Sequence, residues 1–516
     1  MAPPTIEDTT SLVEALAAQL RGDLLIRGDD ATKEKFDAQR SRSWNKDLSI
    51  RTEPIAFAMV SGVKDVVTAV KFCATHDIPV TVRGKGAHSP WGMAQDSLCI
   101  DLSSMDNVRV DPQKKLAYIA AGALGGDVDH ETSLYNLITP TGTVSHTGYG
   151  GLALGGGMSH ASRWLGAAVD NFVELELVQS TGEVIRVNAE SDPELFWALR
   201  GNGFNFGVVT EIVVQCHDMP NNGMVRGAPI AFPDVKADVT MLDWLKHISS
   251  PDRKPDESVQ FGCIPTPDGN TASALVPVLI GGTEESRKEY CDNLATFGDG
   301  AVARMDTELP YVALQAALDD AFPHQLGYYD KGSFLDFDPK DEDAMKKIVS
   351  LTQQAWDDRP EWSLGKEGGA FPFFILCLDV GEGQLQKADP SSTSFSARTG
   401  RVWYVLIASW DGKDEEEFET KKAGCQRWVR KWAKQMEQFK IVGGYSNDYV
   451  DFRPDSNSEE LKFVYPGDSW KRLEALKAKH DPTGMFKATK LPTTDEATKV
   501  ASMSLATGTV TAEVGQ

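Results

Sequence analysis

Residues 82–92 read VRGKGAHSPWG, which places Arg83, Lys85 and His88 in a turn with Gly84 and Gly86. Two more glycine-dense stretches follow: TPTGTVSHTGYGGLALGGGMS (139–159) and LRGNGFNFGVVTE (199–211). Glycine is conformationally costly unless the backbone needs positive φ or close approach to a ligand. Exposed backbone N–H groups with two cations nearby suit an anion such as a pyrophosphate. One such cluster alone is as well explained by a plain turn; three between residues 82 and 211 are not. His88 either does chemistry in its turn or packs there. The Walker pattern is absent, and GYGGLALGGG lacks the spacing and strand–helix context of the doubly wound dinucleotide motif. The pattern therefore points to a dinucleotide held by another kind of fold.

The chain that positions these residues has 516 of them, more than one ordinary core, so a two-domain or two-part architecture is expected. Lys plus Arg number 52 against 75 Asp plus Glu, a net charge of −23. Such a chain repels nucleic acid phosphates and anionic membranes, so neither is expected as a partner. The run DGKDEEEFE (411–419) reads as a solvated face. The N-terminus has no basic region ahead of an apolar stretch, and no run of 18 apolar residues exists. Seven cysteines are scattered and never spaced C-x-x-C, which argues against zinc, redox-pair and disulfide scaffolds. No metal site and an intracellular, cytoplasmic location are expected.

Helical spacing marks 11–21 and 63–76. SLCIDLSSM and KLAYIAAGA read as strands, and FVELELVQSTGEVIRVN as a hairpin turning at Thr181-Gly182. DPELFWALRG reads as a short helix capped by Asp192 with Pro193 at its first position. A Pro-, Gly- and Asn-rich shift near 217–235 marks a boundary. Beyond it, long helices alternate with strands such as RVWYVLIASW and FPFFILCLDV, which predicts antiparallel strands covered by helices. The divisions are 1–217, 218–440, 441–495 and a tail, 496–516.

The three glycine segments, with VDNFVELELV, DPELFWALRGNGFNFGVVTE and the late YSNDYVDF and RLEALKAKHDPTGMF, resemble FAD-linked oxidases. The superfamily is that of vanillyl-alcohol oxidase and p-cresol methylhydroxylase, and the branch the berberine-bridge-enzyme-like one. The likeness is dense over residues 50–216 and returns near 330–335, 388–405 and 445–487. It implies an α+β fold: a two-part FAD-binding domain, from the N-terminal half plus the C-terminal segment, around a substrate domain of antiparallel sheet and helices.

The resemblance also implies roles. FAD would be held by the turn Arg83, Gly84, Lys85, Gly86, Ala87, His88 and Ser89. The central segment would add Thr141, Gly142, Val144, Thr147, Gly148, Gly150, Gly151, Leu154, Gly155, Gly156 and Gly157. Asn205, Gly207 and Val209 would pass the adenine end, and Asn447 would join from the C-terminal segment. His88 stands where many relatives bond the flavin 8α-methyl group, although its turn is one residue longer than R-x-G-G-H. Val144 stands where some relatives carry a second, cysteine link, so a single link through His88 is expected. His146 would lie beside the flavin ring as a further catalytic candidate, and Thr147 is small enough to favour an oxidase over a dehydrogenase. On the substrate side, YSNDYV nearly matches the Y-x-N-Y of sugar-oxidising relatives: Tyr449 is the first catalytic candidate, Tyr445 the second. Tyr328, Tyr329 and Asp330 fall where relatives place substrate-facing strands, and Glu367 is a further candidate base. The implied activity is oxidation of a small alcohol, phenol, sugar or secondary metabolite, with oxygen as acceptor. A dehydrogenase, an oxidative cyclase and a flavin binder without turnover stay open.

Overall fold

The computed structural model describes residues 13–89, 92–233, 237–265, 271–360, 362, 372–441, 443–448 and 462–486. Its first sheet has four strands, in the order Leu24–Ile26, Ala56–Met59, Leu98–Asp101, Val80–Arg83. The last three pair in parallel, which requires crossovers. The helix Val63–His76 supplies one of them. It buries Val66, Ala69, Val70 and Cys73 at helical spacing, and Asp77 in the left-handed region (φ 52°) ends it. A five-stranded antiparallel sheet follows, with the hairpin Phe172–Val178 and Val184–Val187 at one edge. The helix Pro193–Asn202 starts as its sequence predicts: Asp192 Oδ1 accepts from Leu195 N at 3.0 Å.

A nine-stranded antiparallel sheet occupies the middle of the chain. Its strands Glu257–Pro265, Phe373–Asp379, Val402–Trp410 and Gly327–Leu335 lie side by side in that order. The helices Glu342–Asp357 and Glu415–Met436 pack on it through Ile348, Trp356, Trp428 and Trp432. All seven cysteines are buried and free. No helix among the described residues is long and apolar enough to cross a membrane.

One core gathers residues from 13–216 together with Tyr445, Tyr465, Leu473 and Phe486 from the end of the chain. The C-terminal helix Asp468–His480 is fastened there by a buried cation. Lys477 Nζ meets Asp481 Oδ2 at 2.7 Å and donates to Asn205 O at 2.8 Å. Removing one partner of a buried pair strands the other charge. Lys477→Met should therefore lower unfolding stability by about 3 kcal/mol or more, read as a lower urea midpoint.

Candidate active site

The strand Val80–Arg83 runs into the turn that carries His88. The central glycine segment packs directly on this turn. A β-carbon on Gly86 would lie 2.8 Å from Gly148 Cα, so the two backbones touch. Between them, the segment 203–209 and the nine-stranded sheet lies a cavity of about 390 Å³. From the turn, Arg83, Gly84, Ala87, His88 and Ser89 line it. From the central segment come Val144, His146, Thr147, Gly148, Gly150, Gly151 and Leu154. Gly207, Val209, Tyr445 and Asn447 complete the sequence-predicted part of the wall.

Other predicted residues sit elsewhere. Lys85 Nζ pairs with Asp106 and Asp127 at 2.9 and 3.3 Å. Thr141 is buried, its Oγ1 donating to Asp129 at 2.9 Å. A β-carbon on Gly155 would strike the Asn447 amide, and one on Gly156 the Phe395 ring. These glycines let Asn447 and Phe395 pack close rather than facing the cavity. Asn205 lies beside Asn202, with its carbonyl on Lys477. Tyr449 and Glu367 lie outside the described residues.

Three imidazoles gather at one end. His88 Nε2 is 3.1 Å from His146 Nδ1, and His324 lies tilted against both, at ring separations of 5.5 and 5.1 Å. Burial, with repulsion from His146 and His324, holds the His88 pKa well below its ordinary value. A neutral imidazole has one N–H and one lone-pair nitrogen, and the latter is the form a nucleophile needs. Trp44 packs edge-on to His88 and stacks on Tyr328 at 3.7 Å.

Arg83 is held otherwise than its position in the turn implies. Its Nε meets Asp101 Oδ2 at 2.7 Å, and Nη2 donates to Gln39. Nη1 is buried and has no partner among the described residues. At Gly151 a β-carbon would meet nothing within 4 Å. Both features leave room for a ligand against this wall, as a flavin nucleotide would need. Tyr445 turns its hydroxyl to the glycine helix: it accepts from Asn447 Nδ2 at 3.0 Å and donates to Leu152 O at 3.4 Å. Burial, and then the nearby Asp448, raise its pKa further above the usual phenol range.

Asp129, Thr141 and Gln315 form a buried network behind the wall, Gln315 Nε2 reaching Gly142 O at 3.1 Å. Burial pushes the Asp129 carboxyl up to about 7, against the opposing hydrogen bonds from Gln315 and Thr141. The folded state thus holds the proton more tightly than the unfolded chain. Its stabilising contribution is complete at acid pH and is lost as pH rises through about 7. Asp129→Asn should flatten the melting temperature between pH 5 and pH 8.5, whereas the wild-type value falls.

Sequence reasoning missed the opposite wall: Gln260, Phe322, Leu376, Leu378, Val405 and Ile407. Strand alternation marks such residues as buried but does not say that they face a cavity.

Residues 54–188 match the family model described as an FAD binding domain. An FAD-linked oxidoreductase of Dictyostelium discoideum is 29% identical over 93% of this chain and 96% of its own length. The (R)-6-hydroxynicotine oxidase of Paenarthrobacter nicotinovorans is 33% identical over 46% of this chain and 51% of its own. Berberine bridge enzyme from Eschscholzia californica superposes with a TM-score of 0.76 at 19% identity, covering 93% of this chain and 99% of that one. The chain has the α+β fold seen in berberine bridge enzyme, carries an FAD-binding domain and is an FAD-linked oxidoreductase.

Proposed function

We propose that this FAD-linked oxidoreductase is an oxidase: it removes a hydride from a small organic substrate and passes the electrons to oxygen, giving hydrogen peroxide. One observation carries the reading. A single cavity joins the His88 turn and the glycine segments to the face of the nine-stranded sheet, so cofactor and substrate share one enclosure. Flavin bound there supplies the hydride acceptor. In this reading residues 1–217 and 441–495 form the FAD domain, and 218–440 the substrate domain.

The chain's own residues do the rest. Backbone at Gly84, Gly148, Gly150 and Gly151 allows close approach of the flavin nucleotide, with Gly207 and Val209 at the far end of the wall. Neutral His88 is the tether, steadied by His146. The substrate-side tyrosines are Tyr449 and Tyr445; the latter braces the glycine helix through Leu152. Thr147 lines the cavity and is small, which supports access for oxygen. The oxidase named among the relatives supports the same acceptor.

The test is reoxidation. Photoreduced protein mixed with air should regain its yellow colour within seconds and release peroxide. Protein that stays colourless under oxygen but is reoxidised by an artificial quinone is a dehydrogenase, and the oxidase reading falls.

A further inference from the structure

Among the described residues, His88, His146 and His324 form a group whose metal-ligating nitrogens all lie within 4.8 Å of one another. His88 and His146 line the cavity, and His324 is exposed beside them. The three come from widely separated parts of the chain, so no metal motif reads out of the sequence. His88 Nε2 and His146 Nδ1 stand 3.1 Å apart. Two nitrogens on one tetrahedral zinc ion, each about 2.0–2.1 Å from it, lie about 3.3 Å apart. A small turn of the exposed His324 ring brings the third nitrogen in.

The segments that carry the three rings are tied together. Trp44 spans two of them: its N donates to Ala87 O at 3.1 Å, its Nε1 to Phe322 O at 3.0 Å, and its O accepts from Gln325 N at 3.0 Å. Ser145 N donates to Asp319 Oδ1 at 2.9 Å, which joins the His146 segment to the one that leads to His324. Ala87 and Gln325, the immediate neighbours of His88 and His324, have φ of 49° and 72°. L residues hold this left-handed conformation where the surroundings enforce it, and such residues cluster at ligand sites. His146 Nε2 lies 3.4 Å from Asp319 O. A carbonyl only accepts, so Nε2 carries the proton and Nδ1, which faces His88, keeps its lone pair. Metal-ligating histidines are oriented in this way, by a backbone carbonyl on the nitrogen turned away from the ion.

We infer that His88, His146 and His324 form a binding site for a divalent transition metal ion of the zinc class. Imidazole nitrogen suits zinc, copper and nickel, whereas magnesium and calcium need oxygen. The ion takes the place of the proton shared between His88 Nε2 and His146 Nδ1, reaches the site from solvent past His324, and keeps a fourth position for water. It joins the turn after Val80–Arg83 and the glycine segment to the chain entering the strand Gly327–Leu335. The site goes beyond the flavin reading and is compatible with it, because a flavin bond to His88 Nδ1 leaves Nε2 for the ion.

The experiment uses the full chain without a histidine tag. It is stripped with EDTA, its flavin content is recorded, and zinc is titrated in competition with a chromogenic chelator. The expected result is one zinc per chain and a higher melting temperature with zinc, with no response to magnesium at the same concentration. His146→Ala and His324→Ala should each weaken zinc at least about tenfold and lose the melting shift. His130→Ala removes an exposed histidine paired with Glu131 and should keep both. Circular dichroism checks that each variant is folded, and if His146→Ala is not, the exposed His324 decides. No zinc retained against the chelator, unchanged zinc affinity in folded His324→Ala, or an equal response to magnesium overturns the proposal. Colourless protein, or a colourless pellet after acid precipitation, counts against the flavin or its tether and leaves the zinc result standing.

Discussion

Replacing His88, the flavin tether proposed above, by alanine should abolish that covalent attachment while leaving the protein able to bind flavin. The imidazole sits at the end of the cavity with Nε2 held 3.1 Å from His146 Nδ1. Burial and its two histidine neighbours keep it neutral at physiological pH. A neutral ring keeps one lone-pair nitrogen, which can serve as a nucleophile. The extra residue in the turn does not remove it from the site, since Ala87, His88 and Ser89 all line the cavity. The backbone cradle does not depend on the imidazole, so the variant should still be purified yellow. Acid precipitation decides: the wild-type pellet keeps its colour and the His88→Ala pellet is colourless, with flavin in the supernatant. A yellow His88→Ala pellet would place the bond elsewhere. His146 is near enough to be the alternative, and a His88→Ala/His146→Ala pair would then identify it.

How much of this was legible depended on whether the determining partner lay nearby in sequence. The helix Pro193–Asn202 carries its own cap and first-turn proline, so residues 192–195 fix its start. The hairpin at Gly182 carries its own turn residue. The turn at Arg83 and Lys85 does not carry its own ion pairs. Asp101, Asp106 and Asp127 come from later in the chain, and they engage both cations before any phosphate does. Spacing inside VRGKGAH holds no trace of them. The opposite wall of the cavity is hidden for a second reason. The run FFILCLD is apolar at nearly every position, so its sequence does not tell the helix-covered face from the one that meets the cavity. Asp448 stands between Asn447 and Tyr449 in YSNDYV, and the space its carboxylate fills is left by Gly332, more than a hundred residues earlier.

Gly201→Ala should destabilise the fold, and it isolates what the glycine segments do structurally. Gly201 sits at the kink ending the helix Pro193–Asn202 with φ of 134°, a conformation that L side chains rarely adopt. A β-carbon there would stand 2.7 Å from Phe395 Cα and nearer still to Phe395 N. Both neighbours are backbone, so neither yields by rotating. Phe395 N meanwhile donates to Arg200 O at 3.1 Å. The Gly201 carbonyl accepts from Tyr465 Oη at 3.1 Å and Ser446 Oγ at 3.4 Å. Three distant parts of the chain therefore meet on one peptide. Backbone strain of about 1–3 kcal/mol adds to the clash, for a total loss of about 3 kcal/mol or more, within the range of large single-site effects. The urea midpoint should fall sharply, and C-terminal proteolysis should increase, because the contact with Tyr465 and Ser446 is what opens. Gly151→Ala is the control. It lies in the helix Tyr149–Leu154, its β-carbon would meet nothing within 4 Å, and Gly→Ala in a helix is favourable by about 0.5–1 kcal/mol. That variant should keep or raise its urea midpoint without flavin yet bind flavin less tightly, because the added methyl enters the cavity. A Gly201→Ala protein as stable as the wild type would mean that the three segments close around this peptide more loosely than their contacts require.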